Sequence, residues 1–410
     1  MTAKGRIAVF SIDAKLADEV KGATRYTFLA TLLSRHGYEV DFVTSGFQHW
    51  DKRQRDTAAF DPMTDAYRVR FIAEPGYPKN MCPQRIWSHH VAAGNAAAYF
   101  EAHHDYDLIY CQIPPNDVTR EIGRVAKRYG IPFVIDVNDL WPEAFRIALD
   151  VPVVSDILFA PFMRQAKAAY ALADAIVGTS DEYSMRGFRD RAQDVPRLTV
   201  YVGNDLDEFD RGVTEHAGSI AKPEGEVWVA YAGTLSACYD LATLIRAVAI
   251  VQREHPELKL KLLGDGVVRA DLERVAAETG CDVELLGYQP YANMAAWLSR
   301  SDILVNSLVK KAAQSIVTKI GDYLAAGKPM VNTSQSPEFT AKVASDGFGV
   351  NVPAEDVDAL ARTLAELIDD PEGRAAMGRT ARRVAEEQFD RKHSYLKTVE
   401  LIDGLIANKR

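Results

Sequence analysis

Short apolar runs alternate along this chain with longer segments in which apolar residues recur every three or four positions. The runs read as buried strands and the longer segments as amphipathic helices. Arg6–Ile12, RIAVFSI, predicts the first strand. A glycine turn at Gly22 follows, then a helix over Thr24–His36 that Gly37 stops, then a strand over Tyr38–Thr44. Further strands are expected at Tyr67–Ile72, Leu108–Cys111, Pro132–Asp136, Ala175–Thr179 and Leu198–Val202, with the clearest helices at Trp87–His103 and Asp117–Tyr129. Strict alternation of this kind points to an α/β fold with parallel sheets.

The rhythm breaks between Leu206 and Glu226, a stretch of charges with Gly212, Gly218, Gly225 and Pro223. That composition predicts an interdomain linker. Beyond it the pattern restarts with strands at Val227–Ala232, Lys259–Leu263, Asp282–Leu286, Ile303–Val305 and Pro329–Thr333. Helices are expected at Leu241–His255, Ala270–Thr279, Met294–Ser299, Thr318–Ala325, Asp356–Asp370, Pro371–Gln388 and Arg391–Ala407. The expected organisation is a Rossmann-like domain over residues 1–205, a linker over 206–226, a second Rossmann-like domain over 227–388 and a closing helical segment over 389–410. A length of 410 residues agrees with two domains.

Charge and cysteine content narrow the possibilities. Lys plus Arg number 48 against 57 Asp plus Glu, a formal charge of −9 that argues against general nucleic-acid binding. Cys82, Cys111, Cys238 and Cys281 are far apart and form no CxxC pair, so neither a zinc site nor a disulfide framework is expected. The first apolar run is too short for a signal h-region, and no stretch is long enough to span a membrane, so a cytoplasmic location is expected. No GxGxxG follows the first strand and no GxxxxGK[ST] occurs, which leaves a dinucleotide dehydrogenase or P-loop kinase without support.

In open parallel sheets ligands bind beyond the carboxyl ends of the strands. There the second domain carries Gly233, Thr234 and Leu235 after one strand and Gly264 and Asp265 after the next. Glycine at such a place lets the backbone approach a ligand, and the amides that follow can cradle phosphate. The segment QSIVTKIGDYLAAGKP, from Gln314 to Pro329, sets Lys319, Asp322 and Tyr323 on one helical face. A cation in a first helical turn is unfavourable unless an anion is bound, and a diphosphate would supply one. Asp322 would accept from ribose hydroxyls.

That segment resembles the donor-binding signature of the family-four retaining glycosyltransferases of GT-B fold, in the variant SKxxEYxxAGKP found in bacterial surface-polysaccharide members. DLWPE at Asp139–Glu143, ADAIVGTS ending at Ser180, GNDLDEF from Gly203, YAGTL, LLGDG and SDILVNSL match the same family in order along the chain. The resemblance implies GT-B architecture: two Rossmann-like domains with parallel sheets facing across a cleft, the first for the acceptor and the second for a nucleotide-diphosphate sugar. It also implies that the last helix crosses back to the first domain. Gln314 and Asp322 stand at the two signature glutamates, with Ser315 beside the first. The loop Ser236–Tyr239 lacks the Arg and Lys that many members use on pyrophosphate, and Asn138 replaces a frequent histidine.

The implied activity is transfer of a hexosyl or N-acetylhexosaminyl unit, with retention, from a UDP- or GDP-sugar to a glycan or lipid-linked acceptor in cell-surface polysaccharide synthesis. Lys319 would stabilise the departing diphosphate, and Asp139 and Glu143 would orient the sugar or acceptor hydroxyl. Gly22 and Asn138 would face the acceptor side of the cleft. No metal is expected, since the D-x-D strings fall outside the phosphate pocket. A nucleotide-sugar epimerase and a non-catalytic nucleotide-sugar-binding relative remain alternatives. Basic residues interleaved with Trp50 and Trp87 between Trp50 and His90 leave open a peripheral membrane contact.

Overall fold

The computed structural model describes residues 3–20, 24–61, 63–147, 153–189, 194–312 and 316–409. The chain divides into two compact units, Met1–Val200 with Tyr395–Arg410, and Tyr201–Ser394.

The first unit is built on β1 (Arg6–Phe10), β2 (Glu39–Ser45), a two-stranded hairpin of β3 (Phe47–Gln48) and β4 (Arg53–Gln54), β5 (Arg68–Ile72), β6 (Leu108–Ile113), β7 (Phe133–Val137), β8 (Ala175–Gly178) and β9 (Arg197–Thr199). Apart from the hairpin these form one sheet in the order β5-β2-β1-β6-β7-β8-β9, with parallel pairing throughout. The inner strands are apolar on both faces because helices cover both, which is why they read as runs rather than alternations. Thr24 closes a capping box on the helix Arg25–Arg35, and Gly130 ends Asn116–Tyr129 in the left-handed conformation.

The second unit holds β10 (Val227–Ala232), β11 (Leu258–Leu263), β12 (Val283–Gly287), β13 (Ile303–Asn306), β14 (Met330–Asn332) and β15 (Gly349–Asn351), ordered β12-β11-β10-β13-β14-β15 and all parallel. In both sheets the first strand lies centrally and the chain then adds strands on opposite sides of it. This is the doubly wound order of Rossmann folds, and it opens a crevice where the winding reverses. The crevice falls between β1 and β6 in the first unit and between β10 and β13 in the second. LKLKLL in β11 buries its leucines, while Lys259 and Lys261 reach across to Asp282 and Glu284 beside edge strand β12, at 2.6 and 2.7 Å.

Residues 206–226, expected as a linker, lie inside the second unit. Asp205 caps a helix, Leu206–His216, and Leu206 and Phe209 are buried in the core with Ile320 and Leu324. Gly212 is needed for packing: a Cβ there would sit 2.7 Å from the Cα of Ala292. The apolar spacing Leu206, Phe209, Val213 is helical, but the charges between those residues hide it. The chain passes between units at Val200–Tyr201 and at Ser394–Tyr395 instead. The terminal helix Leu396–Lys409 packs Val399, Ile402 and Ile406 into the core of the first unit.

One buried network ties the first unit to both passages. Arg25 grips Asp136 of β7 through Nε and Nη2, at 2.8 and 3.0 Å. Its Nη1 donates to the carbonyl of Val200 and to the hydroxyl of Tyr395, at 2.9 and 3.0 Å. Asp136 is fully buried and also accepts from Tyr110.

Candidate functional site

At the carboxyl edge of the second sheet three neighbouring strands end in glycine. Gly233 follows β10, Gly264 follows β11, and Gly287 ends β12. Their backbones touch: the Gly233 amide donates to Leu263 and the Gly264 amide to Gly287, at 2.9 and 2.8 Å. A Cβ on Gly264 would lie 1.9 Å from the carbonyl oxygen of Gly233, and φ is +131° there. The glycines therefore make a bare ledge beside the crevice next to β10. Gly264→Ala is expected to destabilise the protein by about 2 kcal/mol or more, since backbone must move to admit the methyl. Because that movement displaces Gly233, nucleotide affinity should fall too. Urea denaturation and calorimetric titration with UDP and GDP read the two effects.

Lys319 reaches this ledge from the other side of the crevice. It begins the short helix Lys319–Ala325, which connects β13 to β14. Its Nζ lies 3.9 Å from the ring centroid of Tyr231 and 3.7 Å from that of Tyr239. A Cβ on Gly233 would come within 3.1 Å of the same nitrogen. The side chain as a whole keeps some exposure. The ammonium nitrogen is nonetheless buried, with no hydrogen-bond partner among the described residues. Burial holds its pKa well below the usual lysine range. Two ring faces return about 0.5–2 kcal/mol each, less than the cost of desolvating an ammonium ion.

Not every residue expected at this site faces it. The amides of Gly233 and Leu235 are taken, the latter by the carbonyl of Asp265 at 3.0 Å, which leaves the Thr234 amide as the one of the three without a partner among the described residues. Adjacent parallel strands ending level with one another use up their terminal amides. The Asp265 carboxylate caps its own turn at the Gly266 amide. Tyr323 is fully buried and its hydroxyl accepts from the amide of Ala232 at 2.8 Å, so it braces the helix against β10 instead of lining the pocket. Asp322 accepts at Oδ1 from Asn204 and Tyr291, at 3.0 and 2.7 Å, and Oδ2 alone is left for a ligand. Burial pushes its pKa up, opposed by those two hydrogen bonds. Gln314 and Ser315 lie outside the described residues, as does Gly22.

In the first unit Asp139 and Glu143 are engaged locally. Asp139 accepts from the Leu140 amide and from the Trp141 indole, at 2.8 and 3.0 Å, and burial raises its pKa. Glu143 accepts at Oε1 from Arg186, a fully buried guanidinium, while Oε2 is buried with no partner among the described residues. Both carboxylates are thus engaged in the turn after β7, and Oε2 of Glu143 is the one oxygen of the two groups that is buried without a partner among the described residues. Asn138, also after β7, is exposed.

Four contributors escaped the sequence reading: Tyr231, Tyr239, Asn204 and Tyr291. Tyr239 had a signal, since it falls in the loop from which the expected cations are missing, and its ring now faces the ammonium of Lys319. Asn204 had one too, as part of the GNDLDEF motif.

Residues 226–370, in the second unit, match the family model described as glycosyl transferases group 1. A GDP-mannose-dependent monoacylated alpha-(1-6)-phosphatidylinositol monomannoside mannosyltransferase of Corynebacterium glutamicum is 31% identical over 152 residues, 36% of this chain and 39% of that protein. A D-inositol 3-phosphate glycosyltransferase of Streptomyces avermitilis is 27% identical over 232 residues, 53% of this chain and 49% of the relative. The chain thus spans less than half the length of these curated relatives. Among solved structures, sucrose-phosphate synthase from Thermosynechococcus elongatus superposes with a TM-score of 0.70 at 19% identity, covering 99% of this chain and 100% of that one. Anabaena HepE in complex with UDP gives 0.69 at 15% identity, with 97% and 100% covered. The fold is that of the GT-B glycosyltransferases, two α/β units each with a parallel sheet.

Proposed function

We propose that this chain is a glycosyltransferase that takes its sugar from a nucleotide diphosphate bound on the second unit. The observation that carries the proposal is the buried, unpartnered ammonium of Lys319 set against the Gly233 ledge. As the bond from the sugar C1 to the diphosphate breaks, negative charge grows on the phosphate oxygens, and a preorganised cation in a water-poor pocket stabilises that charge. Attack by the acceptor hydroxyl on the same face forms the new C1–O bond with retention, and the departing phosphate takes the hydroxyl proton. In this scheme Oδ2 of Asp322 accepts from a ribose hydroxyl, a role supported by Oδ1 already holding Asn204 and Tyr291.

The finer reading is transfer from a UDP- or GDP-sugar to a glycan or lipid-linked acceptor in surface-polysaccharide synthesis. The in-order family motifs support it, and the GDP-mannose dependence of the Corynebacterium relative makes GDP-mannose the first donor to try. Named relatives that are transferases do not favour the epimerase alternative. Among the described residues no helix is long and apolar enough to cross a membrane.

A panel of UDP-, GDP- and ADP-sugars tests the proposal, first by thermal shift and then by transfer and free-sugar release. Stabilisation by at least one donor, with release of its nucleotide, is expected; stabilisation by none contradicts the reading. Lys319 carries the charge stabilisation in this scheme, so turnover is expected to persist in excess EDTA. Loss on chelation with recovery on Mg²⁺ or Mn²⁺ would show that a metal shares the task.

A further inference from the structure

The first unit holds a second cluster of cations, at the carboxyl edge of its own sheet, that make no ion pair among the described residues. Lys52 lies on the hairpin between β3 and β4, and Arg85 on the helix Pro83–Ala102. Both converge on Tyr77, with Lys52 Nζ at 5.1 Å and the Arg85 guanidinium carbon at 5.3 Å from its ring centroid. Arg85 also lies over Trp141, at 4.6 Å. Their polar contacts are to neutral groups: Lys52 donates to Asn80 Oδ1 at 2.7 Å and to the carbonyl of His49 and lies 3.5 Å from His49 Nδ1, and Arg85 Nη1 donates to the carbonyl of Asn80 at 3.1 Å. Arg85 Nε is buried and without a partner among the described residues.

Neighbouring arginines are treated differently. Arg55 pairs with Glu19 at 2.7 Å, and Arg53 approaches Glu19 and Asp51. Asp13, Glu74 and Asp139 act on Arg85 through space without bonding to it: Asp13 accepts from Gln112 at 2.9 Å, Glu74 from Ser88 at 2.8 Å and Asp139 from the Trp141 indole at 3.0 Å, and burial raises the pKa of all three.

Two histidines complete the cluster. His89 is only 6% exposed, with its ring stacked on Trp141 at 5.9 Å and edge-on to Tyr77 at 5.6 Å. Neither of its nitrogens has a hydrogen-bond partner among the described residues. His49 Nδ1 lies 2.5 Å from the Tyr77 hydroxyl. Burial and the nearby cations push His49 down to about 4 and His89 to about 3, so both present neutral rings at pH 7. Lys52 and Arg85 thus bring two like charges to one ring beside neutral donors, and the repulsion lowers the pKa of Lys52, after burial.

We propose that Lys52, Arg85 and His89 form a binding site for a phosphate group, and, resting on the transferase reading above, that the phosphate belongs to the acceptor. Lys52 supplies a point charge, Arg85 its free Nε–H, and His89 a ring N–H, three donors of different direction that suit a tetrahedral oxyanion. The phosphate can come from a soluble sugar phosphate or from a lipid headgroup. The side chains of Trp50, Met81, Ile86 and Trp87, all more than half exposed on the same two segments, give the second source an apolar surface beside the site.

The test uses the full chain carrying Lys319→Met, so that the donor pocket does not report. Inorganic phosphate is titrated calorimetrically into this protein and into versions that add Arg85→Gln or Lys52→Gln. Binding is expected in the first and is weakened at least about tenfold by either addition, with the thermal midpoint of each protein little changed. Absence of phosphate binding in the Lys319→Met protein, or binding that both additions leave unaltered, overturns the proposal. Co-sedimentation with vesicles of neutral lipid and of neutral plus anionic phospholipid separates the sources. Capture by anionic vesicles that is lost with Arg85→Gln identifies a headgroup, and phosphate binding without capture identifies a soluble acceptor. UDP and GDP titrated into the Arg85→Gln single variant should bind as in the parent. A failure of nucleotide binding in both proteins counts against the donor reading and leaves the phosphate result to stand by itself.

Discussion

Lys319→Met is expected to lower turnover by at least tenfold and toward about 10²–10³-fold, the range seen when one preorganised charge-stabilising contact is lost. Methionine keeps an unbranched apolar stem between Tyr231 and Tyr239 and removes only the ammonium. The same substitution should leave the protein as stable as the parent, or more stable by on the order of 1 kcal/mol, because a buried and unpaired charge is removed. Loss of activity through misfolding would lower stability, so denaturation of the variant distinguishes the two causes.

A proton accompanies the effect. In the free protein burial holds the Lys319 pKa well below its usual 10.5, and a bound diphosphate raises it again. Nucleotide binding should therefore take up protons at pH values between the free and bound pKa, and affinity should fall as pH rises through that window. The stability term has a matching sign. The unfolded chain binds the proton more readily, so the penalty is greatest below the folded-state pKa and fades as pH approaches 10.5. Calorimetry in buffers of different ionisation enthalpy measures the uptake, which Lys319→Met should abolish. Binding heats that track no buffer, or a variant that turns over at the parent rate, would remove Lys319 from the mechanism.

The largest expected loss of stability comes from Arg25→Met. It strips the partner from Asp136, which is fully buried with the hydroxyl of Tyr110 as the one side-chain donor left among the described residues. Breaking a buried ion pair by removing one member costs about 3–5 kcal/mol, since the remaining charge has nowhere to be solvated. For a unit of this size that corresponds to a fall of about 6–20 °C in the thermal midpoint of the first transition. Arg25 also donates to Val200 and Tyr395, the residues at which the chain leaves and re-enters the first unit, so the loss extends to the anchoring of the terminal helix. Adding Asp136→Leu should recover much of the loss, because an apolar pair of similar volume needs no solvation. Calorimetric scans of the single and double variants decide this. An Arg25→Met protein melting within 2 °C of the parent would mean that Asp136 finds another partner.

Much of the fold could be read from the chain because buried parallel strands are apolar on both faces. Val227–Ala232 appears with unchanged bounds and Arg6–Ile12 shortens by only two residues. Where helices are covered by charges the pattern misled: Leu206–His216 is helical, and the glycine taken for linker composition is there to let Ala292 approach. The site was legible in part. Position along a sheet edge is encoded by Gly233, Gly264 and the segment that ends at Pro329, and these carried Lys319 to the ledge. Which way a side chain turns depends on neighbours distant in sequence. Tyr323 shares a helical face with Lys319, yet its hydroxyl meets Ala232, and one oxygen of Asp322 is claimed by Asn204, a residue 118 positions away. Asp139 and Glu143 follow the same logic, since their partners Trp141 and Arg186 become visible only once the turn after β7 is folded.

The most direct test of the donor pocket is a crystal structure of the full chain with UDP or GDP bound. A diphosphate is expected on the Gly233 ledge with one of its oxygens about 2.7–3.2 Å from Lys319 Nζ. A nucleotide seated elsewhere, with that nitrogen still enclosed by the two tyrosine rings and touching no phosphate, would contradict it.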